Sequence, residues 1–156
     1  MKKASFHVPG FQLRWGRASD QALLLTFMQN TYRETYPQCN LGHLAETIEQ
    51  YWSDDSPLWF VTNCEVQSIA CVWLGRAIDQ VTGERYTHVL LLYVLPAYRR
   101  QGIGSALMRQ AEIWAKERCD RKLGLQVFDA SPAAQALYQH LGYTPHAHTL
   151  IKSLQS

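Results

Sequence analysis

The chain has 156 residues, 47% of them hydrophobic and 18% charged, a length that suits one core and a composition that excludes intrinsic disorder. Fifteen Lys and Arg against thirteen Asp and Glu leave a formal charge of +2, too balanced for a nucleic-acid binder or a polybasic membrane anchor. The four cysteines, Cys39, Cys64, Cys71 and Cys119, include no C-x-x-C pair, which speaks against a zinc knuckle or a redox dithiol and fits free thiols in a reducing cytosol.

Met1-Lys2-Lys3 has the charge of a signal peptide, but His7, Pro9, Gly10 and Gln12 interrupt any apolar run behind it. No stretch approaches the roughly 18 apolar residues that span a bilayer, so the expected location is the cytoplasm. Residues 1–10 carry no periodicity and read as a loose tail, leaving 11–156 as a single domain.

Phe11-Gln12-Leu13-Arg14-Trp15 alternates apolar with polar residues and predicts a first strand. Ser19 can cap a helix whose apolar positions Ala22, Leu23, Leu24, Phe27 and Met28 run toward Tyr36-Pro37. Asn40 can cap a shorter helix ending near Trp52. Leu58–Val61 and Ile69–Leu74 predict two strands of a meander. Thr87–Val94 is an almost continuous apolar run of the kind buried on both faces, which predicts a central strand. Ile103, Leu107, Ala111 and Trp114 lay one stripe along a helix. A short strand is expected over Lys122–Val127, a helix with apolar face Ala134, Leu137, Tyr138 and Leu141 ending at Gly142, and a last strand over Thr149–Leu154. This order is that of a mixed α/β domain with one helical crossover.

Between the central strand and the stripe helix stands Arg99-Arg100-Gln101-Gly102-Ile103-Gly104. Glycines at this spacing let backbone N–H groups approach an anion, and the helix directs its positive end at the same place. Arg99 and Arg100 add charge suited to phosphate oxygens, and Ser105 offers a hydroxyl in the first turn. Taken alone the pattern is also that of an ordinary loop and helix start. A dinucleotide fingerprint requires a third Gly or Ala where Leu107 stands, and a P-loop requires Gly-Lys-Ser or Gly-Lys-Thr, so neither applies.

A second motif follows, Ala136-Leu137-Tyr138-x-x-x-Gly142-Tyr143. Together with Val94-x-Pro96-x-x-Arg99-Arg100-x-Gly102-x-Gly104 it resembles the GNAT superfamily of N-acetyltransferases over about residues 11–156. The resemblance implies a twisted, mixed, mostly antiparallel sheet of six to seven strands flanked by about four helices, with the fourth and fifth strands splayed to admit acetyl-CoA as acyl donor. It implies contacts to that co-substrate from Leu92, Tyr93 and Val94 of the central strand, from Arg99, Arg100, Gln101, Gly102, Ile103, Gly104 and Ser105 of the loop, and from Tyr138. Ser131 stands where relatives often have an asparagine that contacts pantetheine, and can instead simply cap the last helix.

Acetyl transfer to an amine needs a neutral nitrogen, a stabilised oxyanion and a proton for the leaving thiolate. By resemblance, Tyr138 is the general acid, His88 the base or water anchor, and the Val94 N–H the donor to the thioester carbonyl. Tyr138 can also be plain core, and a lone histidine in a strand is more often structural. The acceptor is expected over the first two helices and middle strands, with Tyr32, Glu34, Tyr36 and Trp73, and beside them Trp52 and Trp59, as lining candidates. Aromatic faces and one carboxylate suit a cationic amine, although plain packing is the simpler reading for any one of them.

His146 and His148 have no neighbouring carboxylate or cysteine to complete a metal site, and each cysteine reads as a small buried hydrophobe rather than a nucleophile. The expected activity is acetyl transfer from acetyl-CoA to a primary amine of a small metabolite or of a peptide, without metal, nucleic acid or membrane. A homodimer is compatible with the family. The competing reading is a catalytically weak acyl-CoA-binding sensor.

Overall fold

The computed structural model describes residues 6–155, so the first half of the expected tail lies outside the described residues. Contacts divide the chain into two compact units, 1–126 and 127–156.

The first unit is a five-stranded sheet with helices on both faces. Its strands are β1 (Gln12–Trp15), β2 (Leu58–Thr62), β3 (Ser68–Ile78), β4 (Arg85–Val94) and β5 (Leu123–Leu125), and its helices α1 (Gln21–Thr35), α2 (Leu44–Tyr51) and α3 (Ile103–Glu117). The strands lie in sequence order. β1 to β4 are antiparallel neighbours, and β5 joins β4 in parallel through the α3 crossover. A one-turn 3-10 helix, Ala18–Asp20, precedes α1. Asp20, rather than Ser19, fixes that entry: it takes two bonds from Arg14 and one from the Arg17 N–H. The Arg14 guanidinium holds the Asp20 carboxyl below the usual carboxylate range.

β3 is the middle strand, and its residues Ile69 to Gly75 are all buried. The expectation of a strand buried on both faces fits β3 better than β4. In β4, Thr87, Val89, Leu91 and Tyr93 are buried, while Tyr86, His88, Leu90, Leu92 and Val94 are only half-buried. The register slips between Trp73↔Leu91 and Leu74↔Val89, leaving Leu90 as the extra residue of a β-bulge. Beneath α1 and α2, Leu24, Phe27, Met28, Leu44 and Ile48 pack on Phe60, Cys71, Trp73, Leu91 and Tyr93. On the opposite face α3 buries Ile103, Leu107, Met108 and Ala111. Its end is anchored by Asp120, almost fully buried, which accepts from Arg76 Nη1 at 2.8 Å and from the Thr87 hydroxyl.

The second unit contains α4 (Pro132–His140), which ends as the sequence predicts. Gly142 takes φ +92, and the Tyr143 N–H donates to the Tyr138 carbonyl at 2.9 Å, a six-to-one closure of the helix end. The expected last strand over Thr149–Leu154 does not form. Leu150, Ile151 and Leu154 stand about nine-tenths exposed, and a short apolar segment becomes a strand only where an edge pairs with it. The sheet therefore has five strands among the described residues rather than six or seven. Only Cys71 is buried; Cys39, Cys64 and Cys119 are exposed, so the expectation of four buried thiols holds for one. Among the described residues no helix is long and apolar enough to cross a membrane.

Candidate active site

The ladder between β4 and β5 spans only Thr87↔Leu123, His88↔Gly124 and Val89↔Leu125. Beyond Val89, among the described residues, no strand pairs with β4 on that side. The Leu95 N–H donates to Ile69 on β3, and successive backbone groups of a strand alternate in direction. Leu92 and Val94 therefore direct their N–H and C=O groups to the open edge, whereas Tyr93 directs its own toward β3. This is the parting of fourth and fifth strands that the sequence implied, and it singles out Leu92 and Val94 over Tyr93. The Tyr93 side chain instead packs on Phe27, with ring centroids 5.1 Å apart.

The loop follows directly. A 3-10 turn, Pro96–Tyr98, re-aims the chain. Arg100 then takes φ +62 and Gly102 φ +82, and α3 begins at Ile103. Two left-handed residues, one of them an arginine, immediately before a 15-residue helix form a concave run of N–H groups suited to an anion. A Cβ on Gly102 would meet nothing within 4 Å, so the glycine serves the backbone conformation and leaves the space above it open. The geometry fits a pyrophosphate.

The two arginines are placed differently. Arg99 Nε donates to the Val94 carbonyl at 2.8 Å, and Arg99 Nη2 reaches both oxygens of Glu34 on α1 at 2.8 and 2.9 Å. Its guanidinium also lies over the Tyr93 ring, 5.6 Å from the centroid. Arg99 thus ties the loop to α1 and to the end of β4, and Arg100 is the exposed cation beside the turn. Gln101 is exposed, Gly104 and Ser105 are half-buried in the first turn of α3, and Ile103 is buried. Sequence spacing gave no sign of the Glu34–Arg99 pair.

His88 is half-buried on β4, opposite Gly75 of β3 and Gly124 of β5. A Cβ on Gly124 would stand 2.8 Å from the Tyr86 ring and 3.5 Å from His88 Nδ1, so this glycine makes room for both side chains. A glycine inside an apolar strand was the available signal for such a close approach. Burial lowers the His88 pKa from its ordinary value, which favours neutral imidazole.

Of the acceptor candidates, Tyr32 is half-buried on α1 and burial raises its phenol pKa. Glu34 pairs with Arg99, and Tyr36 is 38% exposed just past α1. Trp73 is fully buried under α2, its ring 6.5 Å from that of Trp52. Trp59 does not join them. It pairs across strands with Trp15 and packs on Trp114 of α3, on the opposite face.

Tyr138 and Ser131 belong to the second unit. Ser131 stands at the N-cap of α4 ahead of Pro132. Tyr138 meets Tyr143 edge-on, with centroids 6.0 Å apart, and burial pushes its phenol up to about 12. It is therefore a hydroxyl donor throughout the neutral range. His146 and His148 are exposed, and the described residues contain no group of three or more His, Cys, Asp or Glu placed to hold a metal.

A model of the acetyltransferase (GNAT) family matches residues 25–143. An aminoglycoside N(6')-acetyltransferase type 1 of Acinetobacter haemolyticus is 30% identical over 105 residues, 65% of this chain and 72% of that protein. A mycothiol acetyltransferase of Beutenbergia cavernae is 35% identical over 97 residues, 62% of this chain but only 31% of that protein. Among solved structures, aminoglycoside N-acetyltransferase AAC(6')-Iy in complex with CoA matches with a TM-score of 0.70, covering 94% of this chain and 95% of that one, at 16% identity, a likeness of fold. With the family match spanning the open strand edge, the anion loop and the tyrosine helix, the chain belongs to the acetyltransferase (GNAT) family and is an acetyl-CoA-dependent N-acetyltransferase.

Proposed function

We propose that this enzyme moves an acetyl group from acetyl-CoA to the primary amine of a small, cationic, polar metabolite. The observation that carries the reading is the join of the open β4 edge at Leu92 and Val94 to the left-handed Arg100–Gly102 turn at the start of α3. A small-molecule acceptor is supported by two relatives named for such substrates, an aminoglycoside and mycothiol. The reading includes a single domain over 11–156, supported by a family match that runs through both units. It also includes residence in the cytoplasm, supported by four cysteines that are all free thiols.

When bound, acetyl-CoA supplies an activated acyl carbon. The N–H groups of the Arg100–Gly104 turn and the Arg100 guanidinium hold the pyrophosphate, while the Leu92 and Val94 edge holds the pantetheine arm. The Val94 N–H polarises the carbonyl. An alkylammonium with a pKa near 10 is about one part in a thousand neutral at pH 7, so a base is useful. His88 takes the amine proton as the C–N bond forms. As the C–S bond breaks, the Tyr138 hydroxyl gives its proton to the thiolate. Tyr32, Tyr36 and the Glu34 region border the acceptor, and Trp73 supports them from below.

Incubation with acetyl-CoA and a panel containing an aminoglycoside, a polyamine, and peptides with free N-termini or lysines tests this reading. Mass spectrometry should find one acetyl group on a small amine. Acetylation confined to peptides would overturn the acceptor class.

A further inference from the structure

His88 has a glycine on each side. It pairs with Gly75 of β3 and with Gly124 of β5, and neither glycine takes a positive φ, so backbone conformation does not call for them. A glycine inside a strand gives up about 0.5–1 kcal/mol relative to alanine, and a close approach by a neighbour is what offsets that loss. The approaching groups are the two side chains that flank His88 on β4. A Cβ on Gly75 would stand 2.8 Å from Leu90 Cδ1, and a Cβ on Gly124 would stand 2.8 Å from Tyr86 Cε2 and 3.5 Å from His88 Nδ1. Leu90 therefore leans over β3 and Tyr86 over β5, and the imidazole turns Nδ1 to the Tyr86 side.

Tyr86 is itself held in place. The Lys122 ammonium lies 4.9 Å from the centre of its ring. Asp79 binds that ammonium through Oδ2, and its Oδ1 accepts from the N–H groups of Val81 and Thr82 in the turn between β3 and β4. The turn thus fixes Asp79, Asp79 fixes Lys122, and Lys122 lies against the ring that covers His88 Nδ1. That nitrogen is buried and has no hydrogen-bond partner among the described residues, although the imidazole as a whole is half-buried. Of the titratable groups on the neighbouring elements, Lys122 is paired with Asp79, Arg76 with Asp120 and Arg99 with Glu34, while Arg33, Glu46 and Glu49 are exposed. Burial keeps the Cys71 thiol and the Tyr32 phenol protonated. Burial is likewise the cause of the lowered His88 pKa, so whatever covers the ring sets its titration.

We infer that Tyr86 is a positioning residue for His88: its ring, seated on Gly124, closes Nδ1 off from water and holds the imidazole against β5 at the point where the β4–β5 ladder ends. Gly124 and Lys122 act through that ring, the glycine by leaving it a seat and the lysine by keeping it there. A charged imidazole is a donor at both nitrogens and needs water or an acceptor at each. A covered Nδ1 therefore favours the neutral ring, the form able to take up a proton. This rests on the proposed role of His88 as base, because it extends toward acid pH the range in which that base is neutral.

Titration of the His88 ring by NMR in the ligand-free protein tests the inference without reference to activity. Tyr86→Ala uncovers Nδ1 and should raise the His88 pKa toward the value of about 6.5 of an open histidine. Tyr86→Phe keeps the ring and removes only the hydroxyl, so it should titrate as wild type. Gly124→Ala drives the ring from its seat from the β5 side and should raise the pKa as Tyr86→Ala does, which frees the test from how any one variant folds. An unchanged His88 titration in Tyr86→Ala or in Gly124→Ala, or a Tyr86→Phe variant that titrates like Tyr86→Ala, overturns the inference. In turnover, the acid limb of kcat/KM should move to higher pH in Tyr86→Ala by the same interval as the NMR titration. A limb that stays in place while the NMR titration moves would instead refute His88 as base and leave the positioning by Tyr86 standing.

Discussion

Arg99 Nη2 donates to both carboxylate oxygens of Glu34, and the two residues lie 65 positions apart. The same arginine holds the Val94 carbonyl through Nε. One side chain therefore fixes the last turn of α1, the end of β4 and the start of the anion loop relative to one another. Both partners are 41% exposed, so the pair adds less than about 1 kcal/mol to stability. Its value is geometric.

Replacing that arginine should separate the two effects. Arg99→Ala is expected to change the unfolding free energy by less than about 1 kcal/mol and to raise KM for acetyl-CoA about tenfold, equivalent to about 1.4 kcal/mol. Steady-state kinetics beside urea denaturation checks this. A large loss of stability with unchanged KM would mean that the pair supports the fold rather than the loop.

The two left-handed residues of the loop should differ in their effect on stability while both weaken CoA binding. Gly102→Ala forces a Cβ onto φ +82 and should cost about 1 kcal/mol of stability while weakening CoA binding, because the added methyl enters the space above the turn. Arg100→Gly relieves φ +62 but loosens the unfolded chain, so stability should stay within about 0.5 kcal/mol. Its CoA affinity should fall about tenfold or more with the loss of charge-assisted bonds. Calorimetric titration with CoA measures both.

Much of this arrangement was legible in the sequence, and the reasons are physical. The Ile103, Leu107, Ala111 stripe and the Gly142 helix end are local patterns, and they located α3 and α4 to within a residue or two. The apolar run of β4 misled, because its half-buried side chains line an open edge and a bulge rather than a second packed layer. Residues 149–154 carry three aliphatic residues of the kind strands use, but among the described residues no ladder forms there, and pairing is a non-local property. The Glu34–Arg99 bond, the close approach of Leu90 to Gly75 and of Tyr86 to Gly124, and the segregation of Trp59 from Trp73 onto opposite faces all depend on three-dimensional neighbours. No spacing rule reports them.

Tyr138 keeps its proton well beyond neutral pH, with its phenol pushed up to about 12 by burial. Tyr138→Phe should therefore lower kcat about 100-fold with little change in KM for acetyl-CoA. The alkaline side of the wild-type rate profile should show no ionisation of this residue below that value. Wild-type turnover in the variant, with chemistry shown to limit the rate, would remove Tyr138 from the reaction.

For His88 the sign follows from its lowered pKa. The folded protein holds the neutral ring more readily than the unfolded chain, whose histidine titrates near 6.5. His88 therefore costs no stability above the unfolded value, and stability is lost as pH falls below it. The acid limb of kcat/KM should lie below 6.5, and His88→Gln should abolish that limb and flatten the acid loss of stability. Urea midpoints and rate profiles measured between about pH 5 and pH 8 decide the matter, and an acid limb that persists in the variant would assign the titration to another group.

The most direct measurement is the appearance of free CoA thiol with acetyl-CoA and the best amine of the panel, alongside acetylated amine counted by mass. The account predicts equal amounts of the two products and a dependence on the amine, with acetyl-CoA affinity sharply reduced in Arg100→Glu. Tight CoA binding with no amine-stimulated thiol release, for every amine between about pH 6 and pH 9, would contradict it and identify an acyl-CoA sensor instead.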